Sequence, residues 1–248
     1  MKRTLDYYKK KLKKLYESFS WEYPSDIPSA KAIHGPLLIS PTNEYAKSEK
    51  KIMIVGQETG GWGWNKDSYK DFCDGKMTID CYMTLYEEFL KNNHRGPFWS
   101  EFKRIEKRIF NTDHGTILWQ NLIKFDFNKK SIFTASSTVS ILLSFISMKL
   151  FKKEMKILQP DVIILFTGFS KKYEDVLKKW YKGIVFKDIP GNQIQGRKNV
   201  LTAYQRVIHK DLPSLTIRTH HPRSIYLQTS LFRQKTIDGI ISILKDCK

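Results

Sequence analysis

Two short segments of the chain carry residue types that could act on a ligand. The first is Gly56-Gln57-Glu58-Thr59-Gly60-Gly61-Trp62-Gly63-Trp64, in which four glycines within eight residues let backbone N–H groups approach a bound molecule closely. Gln57 and Glu58 form a polar pair in this run, and a carboxylate there can orient water or face a developing cation. The segment lacks the Lys-Ser or Lys-Thr ending of a P-loop and does not match Gly-x-Gly-x-x-Gly. It also reads as a plain solvated turn. The second segment is His220-His221-Pro222-Arg223-Ser224, where Pro222 restricts the backbone after His221 and Arg223 can meet a phosphate. No third ligand stands at a metal-site spacing from the two histidines, so no metal centre is expected. A third candidate is Asn121, an amide inside the apolar run Ile117 to Lys124. Such an amide must find hydrogen-bond partners, and its donor and acceptor suit either the backbone or the edge of a nucleobase. Neither Ser-His-Asp spacing nor a nuclease-like cluster of carboxylates is evident.

The elements around these residues are legible from periodicity. Lys51 to Val55 is a short β-branched run feeding the first segment, and Leu215 to Arg218 is another feeding the second. Thr116 to Lys124 and Val162 to Phe166 read as two further strands, the latter closed by Gly168, and Gly183 to Lys187 as a short one. Helical spacing predicts helices over Thr78 to Asn92, Pro97 to Phe110, Ser137 to Leu158, Lys171 to Tyr181 and Ser230 to Lys245. At the N-terminus Leu5, Tyr8, Leu12, Leu15 and Phe19 form one apolar stripe among lysines, a basic amphipathic helix. Pro24, Pro28, Pro36 and Pro41 then predict an irregular segment from Trp21 to Glu49 that wraps the surface. Alternating strands and helices argue for an α/β fold, a three-layer α/β/α sandwich around a mostly parallel sheet of four or five strands. Ligands in such sheets collect where loops leave the carboxyl ends of strands.

Length and composition fit one domain spanning residues 1–248: a basic helix over 1–20, the irregular segment over 21–49 and an α/β core over 50–246. A formal charge of +18, from 43 Lys and Arg against 25 Asp and Glu, predicts attraction to polyanions, with DNA as the leading partner and RNA as a second. A lysine-rich surface also arises without any ligand, from genome composition alone. The three cysteines, Cys73, Cys81 and Cys247, show neither paired spacing nor an even count, which fits a reducing cytoplasm. No run approaches the roughly 20 apolar residues needed to cross a bilayer, so no membrane partner is expected.

The three candidate segments, in this order, resemble the uracil-DNA glycosylase superfamily. Val55-Gly56-Gln57-Glu58-Thr59-Gly60 occupies the place of the family's first motif, of the type Gly-Gln-Asp-Pro-Tyr-His or Gly-Glu-Ala-Pro-Gly. Asn121-Leu122-Ile123-Lys124 is similar to the Asn-x-x-Lys of the branch that binds an iron–sulfur cluster, and His221-Pro222-Arg223 to the second motif, His-Pro-Ser. Leu158 to Gly168 resembles the strand between them, Pro-x-hydrophobic ending in Gly. Thr59 stands where the family has Pro, Arg223 where it has Ser, and Gly61 where some branches have an aromatic residue or His. In the cluster-binding branch the acid lies one position earlier, where this chain has Gln57.

The resemblance implies a monomeric enzyme that removes uracil or a related damaged base from DNA without a metal or other cofactor. It implies that Glu58 positions water and that His221 donates to the base as it leaves with negative charge. Asn121 would read the base, with Gly56, Gln57, Gly60 and Gly168 lining its pocket and Trp62 or Trp64 covering its face. Arg223, Ser224, Ile225 and Tyr226 would form the loop pressed into the duplex. Two alternatives remain: a nucleic-acid-binding relative without turnover, and a hydrolase of another N-glycoside or nucleotide.

Overall fold

The stripe of Tyr8, Leu12 and Leu15 does form a helix, and its start is fixed by the Thr4 side chain accepting from the Tyr7 N–H. In the computed structural model, residues 3–25, 27, 32–63, 67–92, 94–112, 115–226 and 228–246 are described. Along the chain they form α1 (Leu5–Glu17), β1 (Ile33–His34), α2 (Asn43–Lys47), β2 (Ile52–Glu58), α3 (Ser68–Cys73), α4 (Ile79–Lys91) and α5 (Pro97–Phe110). There follow β3 (Ile117–Ile123), β4 (Asp126–Phe127), a single 3-10 turn (Ile132–Thr134), α6 (Ser137–Leu158), β5 (Val162–Leu165) and α7 (Lys171–Trp180). The chain closes with β6 (Val185–Asp188), β7 (Gln193–Gln195), β8 (Val200–Thr202), β9 (Tyr204–Ile208), β10 (Leu215–Thr219), α8 (Pro222–Tyr226) and α9 (Ser230–Asp246). No helix among the described residues is long and apolar enough to cross a membrane.

The architecture is α/β, with a mostly parallel sheet of mixed sense in the order β3-β2-β5-β10-β9-β6. β5 lies between β2 and β10 and runs parallel to both, with Ile52 and Leu215 each opposite Val162. β9 and β6 are antiparallel additions, so six strands replace the expected four or five. The missed strand is β9, whose Gln205 and Arg206 interrupt any apolar run and which is recruited by pairing with β10 and β6.

Two compact units divide the chain. The first comprises Met1–Lys47, Gln57–Asn92 and Trp119–Gln159. Within it α1 packs on α6, α2 and α4, and β1 pairs antiparallel with β4. Part of the segment read as a surface wrap is interior, Ala32, Ile33, Leu37, Leu38 and Ile39 being buried, whereas Glu22, Glu44 and Lys47 are exposed. Prolines break regular structure without dictating exposure, and the apolar residues between them decide the placement. Leu37 N–H bonds the Lys124 carbonyl, which pins the segment in place.

Period-two alternation along β3 sends Gln120 to one face and Trp119 and Asn121 to the other, and Lys124, the residue after the strand, joins Gln120. On the first face Lys124 is fully buried and pairs with Glu154 of α6 at 2.8 Å. Its ammonium also donates to the Leu37 carbonyl and to Gln120 Oε1. Glu154 accepts in addition from Gln120 Nε2 at 2.6 Å and from the Tyr16 hydroxyl at 2.7 Å. Burial pushes the Lys124 pKa down, against the opposing pull of Glu154, and pushes the Tyr16 hydroxyl well up.

The second unit comprises Ser48–Gly56, Asn93–Leu118 and Pro160–Lys248. In it α5 packs on α8 and α9, and the β7–β8 hairpin packs on α9. Arg218 of β10 is buried, ion-paired to Glu174 at 3.0 Å, and its guanidinium lies 4.0 Å from the centroid of the Phe186 ring.

Removing one member of a buried ion pair strands the other, so Lys124→Met should cost about 3–5 kcal/mol in urea unfolding. Lys124→Met with Glu154→Leu should cost less than either change alone. A single change costing under about 1 kcal/mol would contradict this account.

Candidate functional site

The glycine-rich segment leaves β2 and is held by the Asp126 carboxylate and, at Trp62, by its carbonyl accepting from the Gly35 N–H at 3.0 Å and the Ser68 hydroxyl at 2.6 Å. Asp126, fully buried, accepts from the Thr59 hydroxyl at 2.9 Å and the Gly61 N–H at 2.6 Å through Oδ2. Through Oδ1 it accepts from His34 Nδ1 and the Lys129 N–H, each at 2.8 Å. Four donors satisfy the carboxylate and fix the loop's path. Gly61 and Gly63 adopt φ of 85° and 111°, and a Cβ at Gly63 would collide with the Ser68 side chain. Only glycine fits there. Gly56 is a buried strand residue, Gln57 is half-buried, and Gly60 is exposed with open space about its Cα.

Glu58 does not stand clear in this loop. Its Oε1 accepts from the Ser131 hydroxyl and its Oε2 from the Ile132 N–H, each at 2.7 Å. The carboxylate thus anchors the start of the 3-10 turn. Trp62 is likewise engaged: its ring meets Phe89 at 5.1 Å and Trp119 at 5.3 Å, both edge-on, and it is 6% exposed. The expectation that Trp62 covers the face of a base is corrected, because both neighbours already occupy its surroundings. Trp64 lies outside the described residues. Asn121 is 2% exposed and accepts from Trp119 Nε1 at 3.1 Å, so the amide is set by its i−2 neighbour on the same face of β3.

In the second unit Gly168 follows β5 with φ of 74°, and its N–H bonds the Thr219 carbonyl at 3.0 Å. That bond joins the loop after β5 to the end of β10. The tandem histidines divide their work. His220 Nε2 faces the Thr202 carbonyl at 3.0 Å, and its ring packs on Phe169 and Phe232, so it is an interior anchor. Its pKa is lowered chiefly by burial.

His221 precedes α8 and caps it. Its carbonyl accepts from Ser224 and Ile225 N–H, and its Nδ1 accepts from the Arg223 N–H at 3.2 Å. A backbone N–H can only donate, so Nδ1 must carry the lone pair. The neutral ring therefore bears its hydrogen on Nε2. Burial, reinforced by the Arg223 charge, pushes the His221 pKa down to about 4. Phe98, itself edge-on to Phe166, supplies an apolar neighbour 6.4 Å from the imidazole centroid. Near neutral pH His221 is thus a neutral donor through Nε2.

Arg223 is exposed and Ser224 half-buried, as a surface contact requires, but Ile225 is fully buried. The expectation that Ile225 enters a duplex is corrected, since the one-turn helix α8 rotates it toward the core. The Tyr226 side chain lies outside the described residues.

Sequence reading missed His34 and Asp126. A signal existed in Phe125-Asp126-Phe127, an acid between two large apolar residues, which must collect donors if the run is buried. His34 carried no such signal, because its pairing with Asp126 arises from the β1–β4 register. No three His, Cys, Asp or Glu side chains among the described residues are grouped so as to hold a metal ion. A cavity of about 800 Å³ in the second unit, lined by Asp161, Arg206 and Ser214 among others, opens at the amino ends of β5 and β10. That is the opposite end of those strands from Gly168 and His221. No protein-family model matches the chain, and no curated protein matches it.

The pH dependence of His221 has a definite sign. Its folded pKa lies below the ordinary value of 6.5, so the unfolded chain takes up a proton between pH 6.5 and about 4 that the folded chain refuses. Stability contributed here is fully present above pH 6.5 and is lost as pH falls through that window. Imidazole NMR shifts of His221 should titrate with a midpoint near 4, and His221→Gln should flatten the fall in stability between pH 6.5 and 4. A midpoint at 6.5 would refute the assignment of His221 as a neutral donor.

Proposed function

We propose that the chain is a DNA glycosylase that hydrolyses the bond between deoxyribose and uracil or a related damaged base. The observation that carries this reading is the hydrogen bond from the Arg223 N–H to His221 Nδ1, which leaves the ring's hydrogen on Nε2; burial, which pushes the His221 pKa down, keeps that ring neutral. In the proposed reaction the C1′–N bond breaks with its electron pair going to the base, and water adds to C1′ with loss of a proton. The departing base gains negative charge on its carbonyl oxygen. A donor already neutral stabilises that charge without giving up a proton, which is the requirement of an oxyanion site. Asn121 reads the base, the exposed Arg223 holds a backbone phosphate, and the charge of +18 draws the chain to the polymer. The reading includes the three-layer sandwich of the uracil-DNA glycosylase superfamily, a monomer, and work in the cytoplasm.

One observation favours a second reading, a nucleic-acid-binding relative without turnover. Both oxygens of Glu58 are engaged by Ser131 and Ile132, which gives this residue a structural task in place of water activation.

Uracil-containing single-stranded and duplex oligonucleotides incubated with the protein should yield abasic sites, seen as alkali-labile breaks. His221→Ala and Asn121→Ala should each slow that reaction by about 10²-fold or more, the loss typical of removing one charge-stabilising donor. Salt-sensitive binding without abasic product, for uracil, hypoxanthine and mismatched bases alike, would establish the second reading instead. Turnover of free nucleosides but not of oligonucleotides would point to a small-molecule N-glycoside hydrolase.

A further inference from the structure

The core-facing side of α6 carries Val139, Leu143, Ile146 and Leu150, all buried, as an amphipathic helix requires. Over its first half the outer side is apolar as well. Ile141 is 69% exposed, more than any other large apolar side chain among the described residues, and Phe145, one turn on, is 46% exposed. Leu142 and Met148 flank them half-buried. The 3-10 turn lies beside this end of the helix, where the Ser140 hydroxyl donates to the Ile132 carbonyl at 2.7 Å, and it adds Phe133, 36% exposed.

Charges around this patch have one sign. From Asn128 to Leu158 the sequence holds Lys129, Lys130, Lys149, Lys152, Lys153 and Lys156, and its single acid, Glu154, is buried against Lys124. Glu58 meets the turn with both oxygens spent on Ser131 and Ile132. Ile141, Phe145, Lys149, Lys153 and Lys156 follow at steps of four and three, so one stripe of the helix passes from apolar to cationic. Lys149 Nζ lies 4.1 Å from the centroid of the Phe145 ring and joins the two parts. Lys129 and Lys130 are exposed just before the turn, at the other end of the patch.

A lysine-rich surface needs no ligand, but lysine content does not explain exposed Ile141 and Phe145, and an apolar patch rimmed by charge marks an interaction surface. A second copy packed face to face through this patch would bring the same lysines together with no acid to meet them. A nucleic acid would satisfy the lysines and stack on Phe145, yet Ile141, the most exposed of the set, has no ring to stack. Anionic headgroups above an acyl layer meet both needs. We propose that the outer face of α6 docks on an anionic lipid bilayer, with Ile141 and Phe145 entering the acyl boundary and the lysines from Lys149 to Lys156 meeting headgroup phosphates. The helix then lies along the surface and does not cross it. This docking is independent of the glycosylase reading.

The test is co-sedimentation of the full chain with vesicles of phosphatidylglycerol mixed into phosphatidylcholine, beside vesicles of phosphatidylcholine alone. The mixed vesicles should be bound about tenfold or more tightly, with the preference falling as salt is raised. A charge of +18 alone draws the chain to anionic vesicles, so the apolar pair decides. Ile141→Ser with Phe145→Ser leaves every charge in place and should weaken binding to the mixed vesicles by about tenfold or more. Lys149→Gln with Lys153→Gln should weaken it by a similar factor. Fluorescence added by Phe145→Trp should be quenched by lipids brominated in their acyl chains, a readout of depth that a purely electrostatic contact would not give. Binding that the serine pair leaves unchanged, or fluorescence that brominated lipid leaves unquenched, overturns the proposal. So does loss of single-stranded oligonucleotide binding in the serine pair with vesicle binding intact, which would assign the face to nucleic acid. A dimer in light scattering that the serine pair abolishes, without vesicle binding in the unmodified chain, would assign it to a second copy and overturn the proposal equally.

Discussion

The buried pair of Lys124 and Glu154 sets the terms for the first unit. Two full charges without solvent contact are tolerable only when every remaining donor and acceptor is used, and here Gln120, Tyr16 and the Leu37 carbonyl complete the set. The network joins α1, the segment around Leu37 to Ile39, β3 and α6. It also settles the register of β3. A slip by one residue would bring Asn121 or Ile123 toward Glu154 and leave a buried carboxylate without its cation, so the alternation that sends Trp119 and Asn121 to the opposite face is enforced. Lys124 and Glu154 together thus hold the strand on which Trp119 and Asn121 lie.

A second carboxylate performs a comparable task for the glycine-rich segment. Asp126 gathers Thr59, Gly61, His34 and the Lys129 backbone, and together with the bonds from Gly35 and Ser68 to the Trp62 carbonyl it defines the path of the consecutive glycines. Thr59 contributes its hydroxyl to this set, so the loop is shaped in part by a side-chain hydrogen bond. Glu58 is drawn into the same economy, since its contacts to Ser131 and Ile132 tie the chain after β4 to the end of β2.

In the second unit, the segment after β10 assigns opposite roles to adjacent histidines. His220 spends its Nε2 on the Thr202 carbonyl and its ring on two phenylalanines. His221 spends its Nδ1 on the Arg223 N–H, which leaves Nε2–H as the ring's donor. The difference comes from one peptide of backbone direction, at the point where a strand gives way to Pro222 and a one-turn helix.

Much of the fold was legible in the chain. Pro97 to Phe110 and Ser137 to Leu158 were readable with the bounds the structure has, because apolar periodicity, Pro at a helix start and a following Pro160 are local signals. The runs at Ile52, Val162 and Leu215 were readable as buried strands for the same reason. β9 was not, since its polar residues acquire strand geometry only by pairing with β10 and β6. At the candidate site, residue types alone singled out the glycine-rich segment, Asn121 and His221. They could not show that Glu58 is held on both oxygens, that Ile225 and Trp62 are interior, or that His34 meets Asp126 across 92 positions of sequence. Periodicity records which face of an element is apolar, whereas burial of a particular side chain and the partner of a particular lone pair depend on what the rest of the chain brings to that face. The sequence by itself therefore determined the elements and the residue types available for chemistry, and tertiary packing decided which of those residues keep a donor to offer.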